Sequence, residues 1–416
     1  ERGDELLLGT VSDTNRAWMA ATLRERGWRV VETRVVPDDA ARIASAVVDL
    51  ARRAAVVITS GGLGPTSDDL TREALADACG SPLVVDERAA ASIAGWYRSR
   101  GRAPGEAAQR MSLRPAAAEL LVNPHGSAPG LRVELDTSTV YAVPGVPSEL
   151  RSMVSEVVLV DLESHHPDRL APVSTSIEVA LLGESAVVGM LAGVEADAAA
   201  APDVDIAYLA RPAHVSVRIS VRPDGADAVD RCAAWTDRVV AALGHHVLGA
   251  NGVTLAEVVL GALIRRGETV ATAESLTGGA VSTALTAVPG ASAAVRGGMV
   301  VYATDLKHAW LSVPAALLAE HGPVDDEVAA AMAEAARTRA SATWGVATTG
   351  VAGPEPVGPH QAGTVIIAVS GPQATTTARL DLPGDRARVR RLAVAHALDA
   401  LRHRLGERES PAPLDR

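Results

Sequence analysis

Residues 54–65 read Ala-Ala-Val-Val-Ile-Thr-Ser-Gly-Gly-Leu-Gly-Pro, a short apolar run that ends in a glycine-rich loop. Around it, residues 3–160 alternate in character. An apolar segment at Glu5–Gly9 precedes a helical pattern at Thr14–Arg26, Arg29–Val36 is β-rich, Ala40–Arg53 has helical apolar spacing, and Thr139–Val143 reads as a strand. Short apolar strands separated by helical patterns predict a parallel sheet covered on both faces. Ligands of such sheets sit at the carboxyl ends of the strands, so the junction at Ser60–Gly61 is a candidate site.

The same pattern returns near the other end. Helices are predicted at Thr254–Arg266, Gly278–Ala287, Asp325–Ser341 and Asp385–Leu405, and strands at Thr269–Ala273, Gly298–Tyr302, Trp344–Thr349 and Gly363–Ser370. Between the two lies a different segment. Alternating runs at Ser174–Leu182 and His214–Val221 flank a helical Gly183–Leu191, a soft Ala/Asp-rich stretch covers 195–205, and Asp227–Leu243 reads as a helix. The expected architecture is two three-layer α/β domains, 1–165 and 251–409, joined by a small α+β module, 166–250. A disordered tail is expected at 410–416. At 416 residues the chain exceeds one ordinary core, consistent with this division.

Composition narrows the function. The formal charge of −11 argues against nucleic acid as the main partner, since phosphate contacts need clustered basic residues. Cys79 and Cys232 stand far apart without a CxxC partner, as free thiols in a reducing compartment would. The charges at Glu1, Arg2, Asp4 and Glu5 do not resemble a signal peptide, and no apolar run reaches the roughly 18 residues of a membrane helix. A cytoplasmic protein is therefore expected, with no membrane partner. His165–His166 and His245–His246 have no further ligand at metal spacing. Phenylalanine is absent, so the cores must rest on Val, Leu, Ile and Ala. Of 39 Lys and Arg residues, Lys307 is the single lysine. Arginine stays protonated, whereas a buried lysine can shed its proton and act as a base.

Ala273-Glu274-Ser275-Leu276-Thr277-Gly278-Gly279 lies where a strand meets a helix. A hydroxyl there faces the positive end of the helix dipole and a set of N–H groups suited to an anion. Taken alone, Ser275 reads first as a helix N-cap, which such a junction favours. Val301-Tyr302-Ala303-Thr304-Asp305-Leu306-Lys307 adds a phenol at a strand end and the lone amine five residues later. Ser275, Tyr302 and Lys307 together suit a nucleophile, a proton relay and a base. A third loop, Thr348-Thr349-Gly350-Val351-Ala352-Gly353-Pro354, also follows a strand, and its glycines allow close backbone approach to a ligand. Short-chain dehydrogenases also use Ser, Tyr and Lys, but with three residues between Tyr and Lys; here four intervene, and no G-x-x-x-G-x-G opens the domain.

In the N-terminal half, Ser60-Gly61-Gly62-Leu63-Gly64-Pro65-Thr66-Ser67-Asp68-Asp69-Leu70-Thr71 joins a glycine-rich loop to adjacent carboxylates. Backbone N–H groups of Gly61, Gly62 and Gly64, with Thr66 and Ser67, could wrap a phosphate while Asp68 and Asp69 hold a divalent cation. A capped helix start is the plainer alternative. Asn123–Gly130 and Pro144–Leu150 are loops of the same kind.

These segments, in this order, resemble the competence/damage-inducible protein A (CinA) family. The matching stretches are AESLTGG (273–279), VVYATDLKHAWLSVP (300–314), HGPVDDEVAAAMA (321–333) and TTGVAGPEP (348–356). The resemblance implies a nicotinamide-nucleotide amidohydrolase, which converts nicotinamide mononucleotide to nicotinic acid mononucleotide and ammonia in pyridine-nucleotide salvage without a cofactor. It makes Ser275 the nucleophile of an acyl-enzyme, activated by Tyr302 and Lys307, with Thr277, Gly278, Gly279, Thr349, Gly350 and Gly353 as candidate substrate contacts. One departure is Pro359-His360-Gln361-Ala362-Gly363, where the family usually shows a Lys-Pro-Val-Gly-like segment. GDELLLG (3–9), Asp13-Thr14-Asn15 and PGVPSEL (144–150) resemble the family's N-terminal molybdopterin-binding-like domain. Gly183-Glu184-Ser185 resembles its KH-like module, here without the GXXG loop that clamps nucleic acid. Some relatives are metal-dependent ADP-ribose pyrophosphatases. The expectation is thus a homodimer acting on small nucleotides, with a divalent metal in the N-terminal domain if that second activity operates. A pterin-cofactor or nucleotide binding protein with a vestigial C-terminal domain is the alternative.

Overall fold

The computed structural model describes residues 4–167, 169–223 and 227–406; the tail at 410–416 lies outside them. The chain divides into two compact units, one ending at Pro172 and one starting at Val173.

In the first unit, α1 (Thr14–Glu25) and α2 (Ala40–Ala51) each start on an aspartate that caps the first turn. Asp13 accepts from Arg16 N and Asp39 from Arg42 N. Next come β1 (Val56–Ser60), α3 (Thr71–Ala78), β2 (Leu83–Val85), β3 (Leu113–Pro115), β4 (Glu119–Leu121), β5 (Gly130–Leu135) and β6 (Ser138–Val143). The main sheet runs β1-β6-β5-β4, and β2 pairs with β3 separately. Successive residues of a strand face opposite sides, and the core follows that rule. Val57, Val140 and Ala142 share a buried cluster with Ile43 and Val47 of α2 and Leu75 of α3. Tyr141 and Val143 join Met19 and Leu23 of α1 and Leu150 and Met153 instead.

Three expectations for this unit need correction. The sheet is mixed: β1 runs parallel to β6, but β6, β5 and β4 are antiparallel. The cause is the tight β5–β6 hairpin, closed by Leu135 opposite Ser138, with Asp136 left-handed at φ 54°. Second, Glu5–Gly9 contains no strand; Asp4–Leu7 is one helical turn, and Leu8 is exposed. Third, Arg29–Val36 forms no strand. Its Val30 and Val31 are exposed, and Arg34 pairs with Glu32 and Asp49. Residues 29–34 line a groove of about 380 Å³ with β1, and Val36 makes an isolated β-bridge, short of the ladder that would stabilise an extended run.

The second unit opens with a two-layer module: β7 (Val173–Ala180), α4 (Glu184–Ala199), β8 (Val204–Arg211), β9 (His214–Val221), α5 (Ala228–Leu243) and β10 (Val247–Ala250). Its antiparallel sheet has the order β10-β7-β9-β8. Val215, Val217, Ile219 and Val221 alternate inward against Val187 and Leu191 of α4 and Val239 of α5. The stretch expected to be soft, 195–205, instead completes α4 and starts β8.

The remainder comprises α6 (Leu255–Arg266), β11 (Val270–Glu274), α7 (Ala280–Thr286), β12 (Val295–Val300), α8 (Thr304–Leu311), a helix at Ala315–His321, α9 (Asp326–Arg339), β13 (Trp344–Gly350), β14 (Thr364–Ser370), β15 (Thr375–Asp381) and α10 (Arg386–Arg404). The sheet order is β12-β11-β13-β14-β15, parallel across the first three strands and antiparallel beyond β13. β14 is buried along its whole length, with Val365, Ile367 and Val369 meeting α6 and α10, and Ile366 and Ala368 meeting α9. This is a three-layer α/β arrangement. Ala180 and Leu248 of the module belong to the same buried cluster as Leu255 and Val259 of α6. Among the described residues, no helix is long and apolar enough to cross a membrane, and both cysteines are free thiols.

Candidate active site

Because β12, β11 and β13 are parallel neighbours, the segments that follow them emerge at one edge. Backbone bonds tie them together there: Ser275 N donates to Thr348 O at 2.9 Å, and Val301 N donates to Glu274 O at 2.8 Å. Ser275 is the first residue beyond β11 and is 8% exposed. Lys307, on the inner face of α8, is 1% exposed. Its Nζ donates to Ser275 Oγ at 3.2 Å and to Val301 O at 3.1 Å. Burial pushes the amine down from the ordinary lysine range to about 8. Near neutrality a useful fraction is then unprotonated. A neutral Nζ can accept the Ser275 proton while an N–H still serves Val301 O.

Tyr302 stands apart from that pair. It is 57% exposed, and its hydroxyl accepts from Arg386 Nη2 at 2.7 Å; among the described residues no hydrogen bond links it to Ser275 or Lys307. The reason is that alternation continues past the end of β12 at Val300. Val301 turns into the core and Tyr302 turns out, so the phenol sits on the rim.

The other expected contacts also separate. Thr277 is fully buried; its hydroxyl donates to Glu274 Oε2 at 2.8 Å and lies 2.7 Å from Thr348 Oγ1. Thr349 donates to Pro323 O at 2.6 Å. Both hydroxyls brace the protein itself. Gly278 and Gly279 are left-handed, at φ 62° and 93°, which lets the loop turn into α7. Gly350 is needed for close packing, since a Cβ there would lie 2.5 Å from Thr364 O. Gly353 O accepts from Arg386 Nη1 at 3.1 Å. Among the described residues, none takes the N–H of Leu276 or Thr277, which leaves two donors beside the nucleophile for a developing oxyanion.

Sequence reasoning gave no role to Glu274, Arg386 or Arg390. Arg390 Nε and Nη2 hold Leu276 O and Thr277 O at 3.0 and 2.8 Å. The available signal was the spacing: two arginines four apart in the first turns of α10 share a face. In the altered segment, His360 Nδ1 lies 2.9 Å from Arg379 Nη2.

At the first unit's sheet, the carboxyl ends of β1 and β6 lie side by side, and Gly61 N donates to Val143 O at 2.9 Å. Their loops border a cavity of about 520 Å³, lined by Gly61, Gly62, Gly64, Asp68 and Asp69 together with Asp13, Asp38 and Glu149. Among the described residues no Lys or Arg lines it. Buried Arg72 holds the loop from behind, donating to Leu63 O and Gly64 O, and burial lowers its guanidinium to about 10. Asp69 Oδ2 accepts from Thr66 N at 2.9 Å and from the Thr66 hydroxyl, so this carboxylate staples the loop. Thr66, Ser67 and Asp68 are exposed. Among the described residues, no group of three or more His, Cys, Asp or Glu is arranged to hold a metal.

Comparison with known proteins fits both halves. Residues 253–405 match the family described as "CinA C-terminal domain", and residues 2–164 match the "Probable molybdopterin binding domain". The chain is 43% identical over 409 residues to a CinA-like protein of Frankia casuarinae, covering 97% of this chain and 94% of that one. With a CinA-like protein of Anaeromyxobacter dehalogenans it shares 40% identity over 414 residues, covering 96% and 97%. A crystal structure of competence damage-inducible protein A from Klebsiella pneumoniae is 36% identical, covering 36% of this chain and 95% of that chain, with a TM-score of 0.36. The chain belongs to the CinA-like family.

Proposed function

We propose that the C-terminal domain hydrolyses the carboxamide of nicotinamide mononucleotide, giving nicotinic acid mononucleotide and ammonia. The observation that carries this is the 3.2 Å contact between two buried groups, Lys307 Nζ and Ser275 Oγ. As a neutral amine, Lys307 takes the hydroxyl proton while Oγ attacks the amide carbon. The ammonium returns that proton to the departing nitrogen, which leaves as ammonia. Water, deprotonated by the same amine, then cleaves the ester and restores the serine. Arg386 is exposed beside Tyr302 and offers a cation for the nucleotide's phosphate. The choice of this amide rests on the family. Ammonia release from the mononucleotide, abolished in Ser275→Ala, is the test, and no release by the wild type overturns the reading.

For the N-terminal domain we propose metal-dependent cleavage of ADP-ribose. The supporting observation is the acidic cavity, lined by no basic residue among the described ones, which could accept a diphosphate only with a cation to offset its charge. Oxygen donors suit a hard divalent ion, and Asp68 with Asp69 would hold it. Metal-dependent AMP formation that persists undiminished in Asp68→Ala would remove this assignment. The Ser275–Lys307 contact argues against a vestigial C-terminal domain.

A further inference from the structure

We infer that Glu274 is a positioning residue that sets the Ser275–Lys307 geometry through a buried carboxylate; the inference rests on the amidohydrolase reading above. Glu274 ends β11 and is 1% exposed. Among the described residues, no Arg, Lys or His pairs with it, so the cost of burying it must be met by hydrogen bonds. Five donors converge on it. Thr272 Oγ1, Ser282 N and Ser282 Oγ reach Oε1 at 3.0, 2.8 and 2.9 Å, and Thr277 Oγ1 and Val281 N reach Oε2 at 2.8 and 3.0 Å.

These donors come from the strand before Ser275, the loop after it and the first turn of α7. A helix cap needs one or two N–H groups satisfied, which a serine can do. Here both oxygens are used, and they bind the two ends of the nucleophile loop to one point. The backbone of Glu274 extends the hold to the amine. Its carbonyl accepts from Val301 N at 2.8 Å, and Val301 O accepts from Lys307 Nζ at 3.1 Å. Ser275 is thus attached to Glu274 covalently, and Lys307 is attached through Val301. The carboxylate also occupies the N–H groups of Val281 and Ser282, so stabilisation of an oxyanion falls to the loop amides of Leu276 and Thr277.

Glu274→Gln tests this, because the amide keeps the shape but must turn its NH2 group against donors. The expected result is a fall in kcat for ammonia release of about 100-fold, as a misplacement on the order of 1 Å brings. KM should stay within about threefold and the pH midpoint near 8 should be retained, since those belong to substrate contacts and to Lys307. Wild-type kcat overturns the inference, as does a loss matching only the unfolded fraction in a melt. Loss of a limb of the pH profile overturns it too, because Glu274 would then be moving protons. If Glu274→Gln fails to fold, Ser282→Ala removes one donor and should lower kcat several-fold at constant KM; unchanged kcat there is likewise fatal. Labelling by a fluorophosphonate, in which Ser275 Oγ bonds to phosphorus and fluoride leaves, separates this inference from the choice of substrate. Slower labelling of Glu274→Gln than of wild type supports it even if the mononucleotide proves inert, and equal rates overturn it.

Discussion

Lys307 has its amine at about 8, held there by burial. The sign of the resulting pH dependence follows. The reactive form is the neutral one, so ammonia release should rise with pH through about 8 and level off above it, with a slope of one proton. Lys307→Arg keeps a cation but cannot act as a base, and should lose at least about 10²-fold in kcat. A pH–rate profile of the wild type, beside the variant's rate, checks both. The sequence pointed to this residue because it is the lone lysine among 39 basic residues. Ser275 was ambiguous, since a helix cap and a nucleophile occupy the same junction. Glu274 was invisible for a different reason: a glutamate at a strand end usually faces solvent, and only the folded chain shows five donors closing over it. Tyr302 was grouped with the reacting pair by its place at a strand end and by the family resemblance, and alternation just beyond β12 turns it to the rim.

Elements were legible where apolar periodicity was long. α2, β9, α9 and α10 follow their patterns to within a few residues. Errors fell where neighbours decide the outcome. Arg29–Val36 has strand composition but forms no more than an isolated bridge at Val36, and β8 lay hidden after an Ala/Asp-rich stretch until β9 paired with it. The glycines of the third loop read as room for a ligand, but at Gly350 the close approach is between strands. At Gly350, φ is 154° and the β13–β14 spacing leaves no room for a Cβ. Gly350→Ala should therefore destabilise the second unit by about 1–3 kcal/mol through overpacking, seen as a lower urea midpoint at an unchanged slope. An unchanged midpoint would mean that β14 yields at no cost.

At the scale of the whole chain, division into units matters more than the count of domains. The change of pattern sets a boundary near 250, and Ala180 and Leu248 before it lie in the same core as Leu255 and Val259 after it. A fragment starting at Val173 keeps that cluster whole, whereas one starting at 251 exposes the α6 face. The longer fragment should melt cooperatively and retain ammonia release, and the shorter should lose several degrees of Tm or aggregate. Equal stability of the two would show that the module adds nothing to the core. These cores are built without phenylalanine, and among the described residues Tyr141 is the largest fully buried aromatic side chain. The buried positions are occupied mainly by Val, Leu, Ile and Ala instead.

The solitary amine has a spectroscopic consequence. Protein made with ¹⁵N-labelled lysine would carry one labelled side chain, so its ζ-nitrogen signal needs no assignment and meets no overlap. Following that signal against pH would report the protonation of the group beside Ser275 directly, with substrate absent or present, in the unmodified chain.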